Sequence, residues 1–150
     1  SRQIVFFTIF AKNHLIRMPV KKKKNPSDLL VALATQALLD KKAYHPVLLD
    51  FTGLKSALYD TFLICHGASR VQVEAIADHV IAEIKKKTGL NPSVVEGTEN
   101  AEWVLIDYFD LIIHIFQEPR RKFYNLEQLW ADAKITTIRD DQEFTEPYSE

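Results

Sequence analysis

Five histidines and one cysteine are the side chains of this sequence most able to bind a metal ion or to act in catalysis. They are His14, His45, His66, His79, His114 and Cys65. Only Cys65 and His66 are adjacent, and neighbouring side chains on a strand point to opposite faces of a sheet, so we expect no metal site and no cofactor. His114 lies in an apolar run, which favours a hydrogen-bonded structural histidine over a contact or proton-transfer role. Cys65 is expected to be a small buried hydrophobe rather than a nucleophile.

The segment Gly67-Ala68-Ser69 lies between a predicted strand and a predicted helix, where free N–H groups could hold an anion. The motifs of phosphate-binding loops, dinucleotide-binding folds, zinc proteases and serine hydrolases are absent from the sequence. A nucleotidyltransferase would also need two or three carboxylates on neighbouring strands to hold Mg²⁺. Asp107 and Asp110 instead flank a predicted turn, and a glutamate cluster falls in a loop, where carboxylates are usually solvated. The cluster is Glu96, Glu99 and Glu102.

Large aromatic residues near polar groups are the most distinctive feature of the second half of the chain. On a strand over 103–108, Trp103, Leu105 and Asp107 share one face. The other face carries Val104, Ile106 and Tyr108. Because both faces carry large side chains, we expect one to cover the core and the other to receive a cover or a partner. Tryptophan and tyrosine are frequent at the energetic centres of protein interfaces, although Trp103 and Trp130 could also simply fill the core.

Composition and charge limit the kind of protein and partner. A chain of 150 residues with 47% apolar residues is expected to form one domain, and its single cysteine favours a reducing, cytoplasmic environment. Residues 1–24 contain seven basic and no acidic residues, which leaves 12 of the 19 basic residues and all 20 acidic residues in 25–150. The body therefore has a net charge of about −8. Such a body favours a basic protein partner over nucleic acid.

The N-terminal and C-terminal segments are expected to lie outside the domain. The apolar run over 4–11 is too short to span a bilayer, and we interpret residues 1–24 as a basic extension, non-native or disordered up to Arg17. Its four lysines over 21–24 suit a solvated tail, with an RNA-binding arm as the alternative. Residues 25–135 form the predicted domain, and residues 136–150 form an acidic tail.

Hydrophobic periodicity predicts an α/β fold, a single domain with a mixed sheet of about five strands and flanking helices in the order αββαβββα. The first helix is predicted to begin at Ser27 as its N-cap, and the second to begin at Ser69, paired with Gln72 in a capping box, and to end at Gly89. A third helix is predicted from Pro119 to about residue 133. The predicted strands are residues 46–51, 59–66, 93–96, 103–108 and 111–116, the last two forming a hairpin.

Several of these segments together resemble the ribosomal silencing factor family, also called Iojap-related proteins. The matching residues are Glu96-Gly97, Trp103-Val104-Leu105-Ile106-Asp107-Tyr108, His114-Ile115-Phe116, and Arg121, Phe123, Tyr124, Leu126, Glu127, Leu129 and Trp130. Earlier matches are Leu48, Asp50, Asp60, Phe62, Ile64, Gly67, Ser69, Arg70, Gln72, Val73, Ile76, Ala77 and Asp78. The resemblance covers roughly residues 27–133 and includes every predicted element in order.

The resemblance implies a fold related to nucleotidyltransferases but without their catalytic carboxylates, and a protein that catalyses no reaction. It also implies binding to the large ribosomal subunit through its protein fourteen, which would block joining of the small subunit and repress translation. The implied contact residues are Trp103, Leu105, Asp107, Tyr108 and Phe109, with Tyr124, Glu127 and Trp130 from the last helix. Phe109 departs from the family, which usually has a small residue there, typically glycine. A homodimerising interaction module and a divergent nucleotidyltransferase are the alternatives; no membrane association and no sequence-specific nucleic-acid binding are expected.

Overall fold

A six-stranded mixed sheet forms the centre of the computed structural model, which describes residues 4–11, 14–21, 26–54 and 57–139. Its strands are β3 (Tyr44–Asp50), β4 (Thr61–Gly67), β5 (Val94–Glu96), β6 (Trp103–Asp107), β7 (Leu111–Gln117) and β8 (Lys134–Thr137). Across the sheet they follow the order β5-β6-β7-β4-β3-β8. The pair β4 and β7 is parallel, and the other pairs are antiparallel. The predicted adjacency of the two strands after the first helix and the predicted β6–β7 hairpin are both confirmed.

Two long helices, α1 (Pro26–Asp40) and α2 (Arg70–Thr88), cover one face of this sheet. Their apolar stripes pack on alternate residues of the strands, such as Leu63 in β4 and Ile113 in β7. We call this side the helix-covered face. Each of these strand positions is fully buried, which explains why short apolar runs in the sequence predicted strands in a core.

The ends of α2 follow the predicted capping pattern. Ser69 is the N-cap, and its hydroxyl oxygen accepts a hydrogen bond from the Gln72 backbone N–H. The Gln72 side-chain oxygen accepts in return from the Ala68 N–H, one residue before the cap. At the other end Gly89 adopts φ 78°, a left-handed conformation that glycine reaches without a steric penalty.

The start of α1 differs from its prediction. The helix begins at Pro26, so Ser27 lies inside the helix and its prediction as the N-cap was wrong. Proline is favoured in a first turn, since it needs no partner for an N–H.

Among the described residues, the helices on the opposite face of the sheet are two short ones, α3 (Glu118–Tyr124) and α4 (Leu126–Leu129). Asn125 separates them, because its left-handed φ of 45° interrupts the helix. The prediction of one helix from Pro119 to about residue 133 was therefore wrong in its length, although Pro119 does lie in the first turn. The chain then returns as β8, an edge strand that the sequence pattern did not predict and that pairs with β3.

The described part of the N-terminal segment contains two strands. Strands β1 (Ile4–Ala11) and β2 (His14–Lys21) pair as an antiparallel hairpin that forms a sheet of its own. This hairpin is separate from the six-stranded sheet. Of the acidic tail expected over 136–150, residues 136 and 137 lie in β8 and Ile138 is buried in the core, while residues 140–150 lie outside the described residues. The predicted fold class, a mixed α/β domain with helices on its sheet, is confirmed.

Candidate functional site

The face of the sheet opposite α1 and α2 is the candidate site, and we call it the open face. Its strand residues alternate with those of the helix-covered face. They are Phe62 and Ile64 in β4, Trp103, Leu105 and Asp107 in β6, and Ile112, His114 and Phe116 in β7. The predicted division of β6 is thus confirmed, since Val104 and Ile106 are buried beneath the helices while Trp103, Leu105 and Asp107 are half-buried.

A continuous series of aromatic contacts crosses the open face. At one end the Trp103 ring lies 4.7 Å from Tyr124 and 5.0 Å from Phe116, measured between ring centroids. At the other end Trp130 contacts Phe51 at 5.4 Å. Phe62 lies between the two ends, in contact with both Trp130 and His114. Tyr124 and Trp130 are exposed by 42% and 37% and Trp103 is half-buried, so the solvent-facing part of the series is limited to these three rings, and the other rings are buried.

His114 lies at the centre of the series and is almost fully buried. Its Nδ1 atom accepts a hydrogen bond from the Trp103 indole N–H at 3.1 Å. Burial lowers the pKa of His114 to about 3, so the ring is neutral at physiological pH. The predicted role of a hydrogen-bonded structural histidine is consistent with this geometry. Trp103, which donates the hydrogen bond to His114, is one of the residues predicted to lie on the contact surface.

Glu127, predicted as a contact residue, makes an internal ion pair. The buried Arg121 guanidinium donates from Nε and Nη2 to Glu127 Oε1, at 2.9 and 2.7 Å. Its Nη1 atom donates to His66 Nδ1 and to the Tyr44 carbonyl oxygen. Arg121 therefore ties α3 and α4 to strands β3 and β4. Sequence reasoning did not find this cluster, since arginine is usually exposed and nothing in its spacing marks it as buried.

Tyr108 and Phe109, which are neighbours at the β6–β7 turn and were both predicted as contact residues, differ in burial. Tyr108 is buried in the core beneath the helices, because it shares the strand parity of the buried Ile106, and its side chain does not reach the open face. Burial also raises its pKa to about 12. Phe109 is 76% exposed and has φ 70°. This left-handed conformation favours glycine over a residue with a side chain.

Acidic groups lie beside the aromatic residues. Asp107 is on the open face, and its Oδ1 atom accepts a hydrogen bond from the Phe109 N–H at 2.7 Å. In the antiparallel pairing with β5, Glu96 lies opposite Leu105 and is exposed. Glu102, just before β6, pairs with Arg120 at 3.0 Å. The open face therefore combines aromatic area with negative charge along the β5–β6 edge.

Cys65 and the Gly67–Ser69 junction, which the sequence offered as a reactive group and an anion site, are used in packing and in internal hydrogen bonds. Cys65 is fully buried, and burial raises its thiol pKa to about 12, as expected of a packing residue. Next to the Gly67–Ser69 junction, the Ala68 N–H donates to the Gln72 side-chain oxygen and the Gln72 N–H donates to the Ser69 hydroxyl oxygen. These two N–H groups are therefore already paired. In the part of the chain that the structure describes, no group of three or more His, Cys, Asp and Glu residues is arranged to hold a metal ion. Nor is any helix of that part long and apolar enough to cross a membrane.

Comparison with known proteins gives consistent matches. The sequence model of the family described as "Ribosomal silencing factor during starvation" matches residues 23–149. A ribosomal silencing factor of Halalkalibacterium halodurans is 46% identical over 109 residues, which cover 73% of this chain and 92% of that protein. One from Bacillus subtilis is 39% identical, covering 73% and 91%. A crystal structure of a Chromobacterium violaceum protein aligns with a TM-score of 0.65 at 31% identity, covering 81% of this chain and 97% of that one.

The family match spans the helix-covered face, the open face and both short helices. It extends across every residue of the aromatic series that the structure describes. On these grounds the chain belongs to the ribosomal silencing factor family.

Proposed function

We propose that this protein binds the large ribosomal subunit through its protein fourteen, using the open face, and thereby blocks joining of the small subunit. The observation that carries the proposal is a match to a family of silencing factors, combined with a sheet face on which the β6 residues are half-buried and Tyr124 and Trp130 are exposed beside them. The mechanism is steric occlusion, which requires a tight contact and no catalysed step. We also propose a cytoplasmic location, because the relatives that the chain covers almost fully are bacterial and bacterial subunits join in the cytoplasm.

The centre of the proposed contact is aromatic and apolar. Trp103, Tyr124 and Trp130 expose large rings that are held by neighbouring rings, so little side-chain freedom is lost when a partner covers them. Tryptophan and tyrosine in such settings contribute a large share of the binding energy in protein complexes. Leu105 lies between Trp103 and Asp107 on the same strand and extends the apolar area.

The charge of residues 25–150 supports a basic partner. The body carries a net charge of about −8, and Asp107 and Glu96 lie along the edge of the open face where a partner would meet them. Complementary charges around an apolar centre accelerate association and fix its orientation. A basic ribosomal protein is a partner of this kind. Of the remaining predicted contact residues, we keep Phe109, at the β6–β7 turn, in the proposed contact surface. Tyr108 and Glu127 are left out of it.

Sedimentation tests the proposal directly. The purified protein is mixed with isolated large subunits, isolated small subunits or both, and the mixtures are separated on sucrose gradients. We expect the protein to travel with the large subunit alone and to lower the yield of joined ribosomes. Sedimentation with small subunits only, or no sedimentation with either, would refute the proposal. Titration of purified protein fourteen then tests the partner separately from the whole subunit.

Matched variants identify the surface. Trp103→Ala removes the largest ring on β6 and should weaken binding to protein fourteen by at least about thirtyfold, a loss of about 2 kcal/mol. Val71→Ala is the control, since Val71 is 73% exposed on α2 at the opposite side of the sheet. Asp107→Asn keeps the oxygen that accepts from the Phe109 N–H but removes the charge, so it should slow association at low salt. Asp78→Asn on α2 makes the same charge change at an exposed control position.

Self-association through the open face is the competing function. Exposed apolar strand residues, together with the short edge strand β5, could pair with a second copy of the chain. Analytical ultracentrifugation of the protein alone, with and without protein fourteen, separates the two. If protein fourteen dissociates the dimer, self-association and partner binding use the same surface. If the dimer persists in the complex, self-association uses a different surface.

A further inference from the structure

His114 lies beneath the open face rather than on it. It occupies the middle of β7, opposite Leu105 in β6 and Ile64 in β4. Its ring centroid is 4.6 Å from Phe62 and 5.8 Å from Trp103, and only 3% of the residue is exposed. A partner bound to the open face would therefore meet Trp103 and not His114.

The hydrogen bond to Trp103 fixes the tautomer of His114. Since the indole N–H can only donate, the Nδ1 atom of the neutral imidazole must accept, and the proton is carried by Nε2. Nε2 is buried without a hydrogen-bond partner among the described residues. An unpaired buried N–H destabilises the fold, and an apolar residue such as leucine would fill this position without it. Packing alone therefore does not account for a histidine at position 114.

The bond also determines what Trp103 presents to a partner. Nε1 is the only polar atom of the side chain, and it points inward to His114. The part of the ring system that a partner can contact is therefore carbon. The ring is further held by stacking on Phe116 and by contact with Tyr124. An indole that is oriented before binding loses less conformational freedom when the partner arrives.

We infer that His114 is a positioning residue for partner binding: by accepting the Trp103 indole N–H it fixes that ring in the orientation that the partner recognises. This inference rests on the proposed function, because it assumes that Trp103 belongs to the contact surface. It also describes the partner's complementary surface, which would contact the carbon ring of Trp103 and not the indole N–H, because that donor is used by His114.

Two substitutions separate orientation from packing. His114→Leu fills the position but removes the acceptor. His114→Asn keeps a side-chain oxygen that can take the place of Nδ1. The readout is the indole N–H signal of Trp103 in ¹⁵N-tryptophan-labelled protein, assigned with a Trp130→Phe variant, and the Trp130 signal is the internal reference. In His114→Leu we expect the Trp103 signal to shift and its hydrogen exchange to accelerate at least tenfold, with the Trp130 signal unchanged. In His114→Asn both properties should stay near those of the original protein.

Affinity for purified protein fourteen is measured on the same variants. We expect His114→Leu to bind about tenfold more weakly and His114→Asn to restore most of the affinity, while thermal unfolding confirms that both are folded. An unchanged indole signal in His114→Leu would overturn the inference. A released indole in His114→Leu with unchanged affinity would also overturn it, provided that Trp103→Ala weakens binding. If Trp103→Ala itself leaves affinity unchanged, both the contact surface and the inference fall, whereas the sedimentation result tests ribosome binding independently.

Discussion

Mild acid should destabilise this protein through two buried histidines. Burial lowers the pKa of His114 to about 3. Burial, with the adjacent Arg121 guanidinium as the second cause, lowers the pKa of His66 to about 4. In the unfolded chain both should titrate near the ordinary histidine value of about 6.5. Between pH 6.5 and 4 the unfolded state therefore binds two protons that the folded state excludes.

The sign and size of the effect follow from this difference. Because protons favour the unfolded state, the stabilisation is complete above pH 6.5 and is lost as the pH falls toward the folded-state pKa values. Each histidine contributes a slope of about 1.4 kcal/mol per pH unit, so at pH 5 each costs about 2 kcal/mol. The expected loss between pH 8 and pH 5 is about 4 kcal/mol, a large fraction of the stability of a typical domain.

Urea denaturation followed by far-ultraviolet circular dichroism at several pH values between 8 and 5 measures this loss. This window lies above the ordinary carboxyl pKa values, which keeps their titration small. In a His114→Asn variant one of the two groups is gone, so the loss should fall to about 2 kcal/mol. A free energy of unfolding that stays constant from pH 7 to pH 5 would refute the reasoning. The same loss in His114→Asn as in the original protein would refute the part assigned to His114.

Two further predictions concern the turn and the ion pair. Phe109→Gly should raise the free energy of unfolding by about 1 kcal/mol in urea denaturation, because glycine adopts φ 70° without steric cost; an unchanged or lower stability would contradict the strain at this turn. Glu127→Gln should cost about 3 kcal/mol in the same assay, since it leaves the Arg121 guanidinium buried without its carboxylate. Glu74→Gln, which breaks the exposed pair with Arg70, is the control and should cost less than about 1 kcal/mol.

Much of the fold could be predicted because its signals are local. The boundaries of α2 follow from Ser69, Gln72 and Gly89, each of which acts within one turn of the helix end. The division of β6 into two faces follows from strand alternation alone, and it placed Trp103, Leu105 and Asp107 correctly together.

The features that could not be predicted depend on contacts distant in sequence or on a single backbone angle. The apolar spacing after Pro119 continues through Asn125, so periodicity carries no sign that this residue leaves the helical region. The four residues of β8 become a strand because β3 offers an unpaired edge. The ion pair between Arg121 and Glu127 depends on how α3 and α4 return to the sheet. Glu127 therefore looked like a surface residue in the sequence.

The two faces of the sheet separate the tasks of this domain. A single layer of strands lies between the helix-covered face and the open face, so substitutions on one side need not disturb packing on the other. Substitutions that are far apart and share no partner generally have additive effects. Under the proposed function, exchanging the exposed rings of Tyr124 and Trp130 would change the surface that meets the partner, while the core beneath the two long helices stays the same.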